Sequence, residues 1–274
     1  MFAVVAIQLG AAISVSLFPL LGVDGTVAVR IILSALLLLI FSGTSVKVHL
    51  QTLIHHWPIL IGFGVCIVAM NLFFYEAIDR IPLGAAVAIE FIGPLGVAAF
   101  NSRHAAHLLW VALAAFGVML LSPLSGAALD PWGIIYALMA GTGWAIFILL
   151  ATRVSDRISG NDGLALGMMI AAIFMLPVGL PVVPTLLSTP WVLLASAGVA
   201  LLSTTIPFTC EFHALKTLPP RAYGILVSME PVVAALVGAI LLSERIGLQG
   251  LVAVCCVVIA AIGITLSDHQ TGKE

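Results

Sequence analysis

From Gly163 to Cys210 the chain carries no charged residue. The run is too long for one helix. Pro177, Pro181, Pro184 and Pro190 break it in two, because proline removes a backbone donor and clashes with the preceding turn. Nor does it suit a soluble core. Only 8% of the 274 residues are charged and 62% are hydrophobic, whereas soluble domains carry roughly 25% charged residues. The chain is therefore expected to be an all-α integral membrane protein. A helix satisfies its own backbone polar groups where lipid offers no partner.

Helices buried all round are apolar all round, so periodicity says little and the spans follow from run length and punctuation. A crossing helix needs about 20 apolar residues. Ten such runs fill the chain, at about 3–21, 26–42, 57–78, 82–100, 105–122, 132–151, 163–180, 191–214, 221–242 and 247–267. Gly22-Val23-Asp24-Gly25 separates the first two, and a polar loop with Lys47, His49, His55 and His56 follows the second. Asp79 and Arg80 close the third, and with Glu76 they read as a solvated cap. The linker from Ser122 to Gly126 divides the chain into 1–122 and 131–267, with 268–274 left as a short tail.

The halves resemble each other. Pro82 to Pro94 and Pro219 to Pro231 have the same spacing, and Asp24-Gly25 is echoed by Asp162-Gly163. Five spans per half is odd, so the second half must run inverted, a plan that places a site between the repeats near the bilayer midplane. The expected fold is ten transmembrane helices as two inverted five-helix repeats. Cytoplasmic loops carry the excess of Lys and Arg. Lys47, Arg103, Arg153, Arg157, Lys216, Arg221 and Lys273 fall on one side, with Arg80 and Arg245 on the other, so both termini are expected to be cytoplasmic. The first apolar run begins at Phe2 without a basic segment, so no cleaved leader is expected.

Charges inside spans are the candidates for function, because a carboxylate at the bilayer centre costs at least ~2.5 kcal/mol on insertion scales. Glu90 lies mid-span in Glu90-Phe91-Ile92-Gly93-Pro94-Leu95, where Pro94 disturbs the backbone around it. It serves either a polar cavity or a structural pairing. Glu230 precedes Pro231, with small residues Ala234 and Gly238 beyond it, so it sits in a cavity or at the edge of a packing face. Ser228 lies beside it. Glu211 follows Ser203-Thr204-Thr205-Ile206-Pro207, whose hydroxyls can satisfy the backbone that Pro207 frees. It faces either the pathway or Lys216 and Arg221. Arg30 either snorkels to the surface or acts as counter-ion to a buried Glu or a substrate carboxylate. Gln8 and Asn71 are ligand contacts or interhelical glue. Trp144, flanked by Gly141 and Gly143, lines a cavity that has room for something flat or small, or else packs tightly.

Other classes find little support. A net charge of −2 gives no basic field for nucleic acid. Cys66, Cys210, Cys255 and Cys256 fall in apolar runs and read as small hydrophobes. His104 and His107 have helical spacing but no acidic or thiol partner nearby, so no metal site is expected. No nucleophile motif or phosphate loop is present in the sequence, so neither an enzyme nor a cofactor is expected. Trp57, Trp110, Trp132 and Trp191 sit near span ends, as an interfacial belt requires.

These features resemble the ten-helix EamA-type exporters of the drug/metabolite transporter superfamily. The resemblance is closer to the threonine/homoserine exporter branch and covers nearly the whole chain. It rests on Ser16-Leu17-Phe18-Pro19-Leu20, on Pro82-Leu83-Gly84 with the Glu90 to Leu95 string, on Trp144-Ala145-Ile146 and on Ser228-Met229-Glu230-Pro231. It implies export of small amino acids across the bacterial cytoplasmic membrane, driven by proton exchange. It also implies a central cavity lined by the first, third, fourth, sixth, eighth and ninth helices. Glu90, with Glu230 and Glu211 behind it, would carry the proton. The alternative is a broad-specificity drug or metabolite exporter with other cargo. Several buried Lys or Arg would be wanted for a phosphate cargo, and only Arg30 is available.

Overall fold

The computed structural model describes residues 1–41, 46–101, 105–121, 129–158, 161–207, 210, 226–245 and 247–267. Every regular element among them is helical: α1 (Phe2–Phe41), α2 (Val46–Ile78), α3 (Leu83–Glu90), α4 (Ile92–Asn101), α5 (Ala105–Leu121), α6 (Pro131–Ser155), α7 (Asn161–Gly179), α8 (Val183–Ser188), α9 (Pro190–Ala200), α10 (Glu230–Leu241) and α11 (Leu248–Ser267). Four apolar stretches are long enough to cross a membrane, at Phe2–Ile40, Ile54–Ile78, Pro131–Ser155 and Asp162–Ser188. Shorter apolar helices complete the bundle. Trp57, Trp132 and Trp191 are exposed on it.

The punctuation acts differently from the sequence expectation in three places. The loop expected at 22–25 reduces to one residue, Gly22, with φ 72° and ψ 167°. That conformation is open to glycine and closed to L side chains. Unbroken, the 40 residues of α1 would reach about 60 Å, twice the hydrocarbon thickness. The polar loop expected before the third span is helical from Val46, with a kink at His56 just before Pro58. Polar composition keeps such a segment out of hydrocarbon but does not forbid a helix. Between the seventh and eighth spans, Pro181, Pro184 and Pro190 open new elements: a 3₁₀ turn at Leu180–Val182, then α8 and α9. Proline fits the first turn, where its missing N–H has no intrahelical partner anyway.

Elements from the two ends of the chain interlock. Gly117 of α5 lies against Ala253, Cys256 and Val257 of α11, and Gly263 receives the indole of Trp110. Gly143 of α6 lies on the Met70 backbone of α2. α3 and α10 run antiparallel in close contact, with a Cβ on Gly84 falling 2.6 Å from the Ala235 Cα. Where α10 ends, the Leu242 and Glu244 N–H groups both donate to the Gly238 carbonyl, at 3.0 and 3.1 Å, and Ser243 takes φ 55°. This left-handed helix end swings Glu244 towards the start of α3. Its Oε1 and Oε2 accept the Leu83 N–H at 3.1 and 2.9 Å. Pro82 offers that helix no side-chain cap, so the cap arrives from the far end of the chain. Nearby, Arg80 pairs with Glu76 at 2.7 Å and reaches Asp130 at 4.0 Å, and its guanidinium stands 5.1 Å from the centre of the Tyr136 ring. The expected solvated cap is thus also a link to α6.

Burial holds the Glu244 carboxyl above the ordinary carboxylate range, and the Leu83 N–H opposes the shift. A raised acid binds its proton more tightly folded than unfolded. Its contribution to stability is therefore complete below the unfolded value, about 4.3, and is lost as pH rises through the folded one. Glu244→Gln keeps the acceptor and removes the titration. The expected outcome is a melting temperature in detergent that falls less steeply with rising pH than that of the wild type. Parallel curves would show that Glu244 does not titrate on folding.

Candidate functional site

A cavity of ≈ 220 Å³ lies among the helices. At about 30 Å³ per water it holds roughly seven waters or one small solute. Gln8, Arg30, Asn71, Glu90, Trp144 and Glu230 all line it, with Pro207. These residues are scattered over more than 200 positions of sequence and meet only in the fold. The lining draws on each of the six expected spans. It also draws on two more, through Arg30 on the second and Leu164 and Met168 on the seventh.

Both carboxylates sit at helix breaks. α3 stops at Glu90, Phe91 forms a turn and α4 begins at Ile92. A turn at Ser228 and Met229 likewise precedes α10, whose first residue is Glu230. Each break falls three residues before a proline, Pro94 or Pro231. Gly141 is buried against the first break: a Cβ there would lie 2.6 Å from the Glu90 carbonyl oxygen, and one on Gly93 would lie 1.9 Å from the Gly141 oxygen. The glycines flanking Trp144 therefore admit neighbouring backbone, not a ligand. The indole itself lines the cavity, with the Phe91 ring edge-on at 5.6 Å. Glu90 and Glu230 are 8% and 6% exposed, and both Glu230 and Arg30 interact electrostatically with Glu90.

Arg30 does not snorkel. Its Nη1 donates to the Tyr75 hydroxyl at 2.8 Å and its Nη2 to Asn71 Oδ1. Each contact continues to a backbone carbonyl. The Tyr75 hydroxyl pairs with Ser14 Oγ at 2.9 Å, and Ser14 donates to the Gly10 carbonyl at 2.8 Å. Asn71 Nδ2 donates to the Ile67 carbonyl at 2.7 Å. With Ser14 donating onward, Tyr75 accepts from Arg30 and donates to Ser14. Two chains thus fix the guanidinium plane, and Arg30 Nε is left buried with no partner among the described residues. Tyr75 and Ser14, each 0% exposed, escaped the sequence reading. The signal was available: Tyr75 follows Asn71 by four residues, one turn along the same helix face.

Not every expected site residue reaches the cavity. Ser228 is buried at 2% exposure but is not part of its lining, and neither are Pro94 and Pro231. Glu211, Lys216, Arg221 and His104 lie outside the described residues. A larger groove of ≈ 410 Å³ runs along α4 and α6 past Ile92, Gly96, Leu138 and Leu149. Its one polar side chain, Thr142, donates back to the Leu138 carbonyl, so the groove suits an acyl chain rather than a polar solute.

The Arg30 network makes a stability prediction. Tyr75→Phe strips the hydroxyl that joins Arg30 to Ser14 and leaves a buried guanidinium donor unpaired. The expected loss is about 1–3 kcal/mol, read as a lowered melting temperature in detergent. An unchanged melting temperature would show that water replaces the hydroxyl at no cost.

Comparison with known proteins gives the family. The EamA-like transporter family matches residues 131–266. The threonine/homoserine exporter RhtA of Escherichia coli K12 is 38% identical over 273 residues, covering 99% of this chain and 91% of the relative. RhtA of Salmonella typhimurium LT2 is 38% identical over 98% of this chain and 91% of its own length. The uncharacterized transporter YwfM of Bacillus subtilis is 24% identical over 89% of this chain. One solved crystal structure superposes with a TM-score of 0.60 at 18% identity, covering 97% of this chain and 98% of that one; that likeness concerns the fold alone. An all-helical chain with several membrane-spanning helices, a polar cavity among them and relatives of this identity over nearly full length belongs to the EamA-like transporter family.

Proposed function

We propose that this protein is a secondary exporter that moves threonine, homoserine or similar small amino acids out of the bacterial cytoplasm in exchange for protons. The observation that carries the reading is the cavity itself. It presents one fixed cationic group, Arg30, and two buried carboxylates, Glu90 and Glu230, to a single small volume. A zwitterion meets complementary charge on both of its ends there, and a polyanion does not. The 38% identity to curated threonine/homoserine exporters supports the same cargo.

The architecture we infer is two inverted five-helix repeats, 1–122 and 131–267, followed by the tail 268–274. The matching breaks three residues before Pro94 and Pro231 support it, as do the antiparallel α3 and α10. α1 then supplies two crossings, divided at Gly22. With both termini cytoplasmic, the seam between Leu83 and Glu244 faces outward. Glu90 carries the proton in this scheme, and protonation and cargo bias one inward–outward equilibrium.

Two measurements test the proposal. In everted vesicles, the wild type should concentrate labelled homoserine under an imposed proton gradient. Glu90→Gln should fold and insert but lose concentrative transport to background, while downhill exchange persists. Glu90→Gln vesicles that still concentrate cargo with an unchanged pH profile would remove Glu90 from coupling. Wild-type vesicles that move cationic dyes and no amino acid would favour the broad-specificity alternative. A reporter fused after Glu274 should be active in the cytoplasm only; periplasmic activity would overturn the even crossing count.

A further inference from the structure

Two of the neutral polar side chains around the cavity are already committed. The Asn71 amide is engaged at both ends, by Arg30 and by the Ile67 carbonyl. Thr204 Oγ1 accepts from the Ser34 hydroxyl at 3.0 Å. Gln8 Oε1 and Ser203 Oγ differ. Both residues line the cavity, and both atoms are buried with no hydrogen-bond partner among the described residues. Gln8 is 2% exposed.

Their placement is built into the helices. Leu201–Thr205 forms a π turn that continues α9. The wider turn sets Ser203 and Thr204 both against the cavity; such bulges recur at functional sites. The turn packs on α1 at Gly10, where a Cβ would lie 2.2 Å from Ser203 Oγ and 3.2 Å from its N. Gly10 therefore admits Ser203 two residues from Gln8. The two unpartnered atoms belong to elements in direct contact, and they are one acceptor and one hydroxyl.

We propose that Gln8 and Ser203 form the subsite that reads the hydroxyl on the cargo's side chain. The inference rests on the amino-acid export reading and deepens it. Arg30 Nε and the carboxylates address the two charged ends of a zwitterion, which leaves the neutral pair for the side chain. Gln8 Oε1 accepts the cargo's O–H, and the Ser203 hydroxyl donates to its oxygen. A cargo lacking that hydroxyl enters the same volume and leaves both buried groups unpaired. Sites of that kind reject such analogues far more strongly than an apolar pocket rejects a missing methylene.

Threonine and homoserine lose their hydroxyl to give the same molecule, 2-aminobutyrate, which makes it the matched probe. The full-length protein is reconstituted in liposomes, and transport of labelled homoserine, threonine and 2-aminobutyrate is measured side by side. The wild type is expected to favour each hydroxylated amino acid over 2-aminobutyrate by about tenfold or more. Ser203→Ala and Gln8→Leu should each lower that ratio about tenfold, with 2-aminobutyrate transport still measurable. The two variants lie on different elements, so misfolding of one leaves the other to decide. An unchanged ratio in a folded variant, or a parallel loss for all three amino acids, overturns the proposal. A wild-type ratio near one overturns it while leaving amino-acid export standing. A wild type that transports none of the three overturns export and subsite together.

Discussion

The hydrocarbon layer offers no hydrogen bonds, and this molecule is arranged around that shortage. Its polar side chains are few, so each must find a partner within the bundle or a cavity that supplies one. Arg30 shows the outcome most fully. Two of its nitrogens are tied through Tyr75–Ser14 and through Asn71 to the carbonyls of Gly10 and Ile67. The guanidinium is thereby fixed in direction before any solute arrives. A cation held this way gives up little freedom on binding, which is the advantage of preorganisation.

The carboxylates are held by a different device. Glu90 ends one helix and Glu230 begins another, each beside a break, and both residues line the same cavity. Such breaks are tolerated at membrane depth only when protein covers them or they line a cavity. Gly141 and Gly93 supply the cover on one side by letting α6 meet the broken turn backbone to backbone. Lipid is kept away from the Glu90 carbonyl without a single polar side chain being spent on it.

The membrane class and most of the cavity's polar residues are legible in the sequence because both rest on the same rarity. In a chain this apolar, Gln8, Arg30, Asn71, Glu90 and Glu230 stand out individually. The sequence could not give direction. Whether Arg30 pointed to the surface or inward depended on Tyr75, a residue whose apolar body hid its hydroxyl in the pattern. Around Gly141 and Gly143 the sequence leaves room and tight packing equally open, because spacing cannot say which neighbour fills a gap; the Glu90 and Met70 backbones fill it. The punctuation misled in a similar way. A polar string before Trp57 suggests a loop, yet the segment is helical from Val46, because a helix emerging from a membrane can carry polar residues. Ser203 was legible only as a member of a hydroxyl cluster beside Pro207, since a π turn leaves no mark on the apolar pattern.

α3 is eight residues long and every one of them is buried. Phe91 separates it from α4, Glu244 holds its first turn, and Ala235 fits against Gly84 along its flank. At 1.5 Å per residue it is a rod of about 12 Å, with the Glu244 cap at one end and Glu90 at the other. One short rod thus joins a carboxylate supplied from the far end of the chain to a carboxylate that lines the cavity.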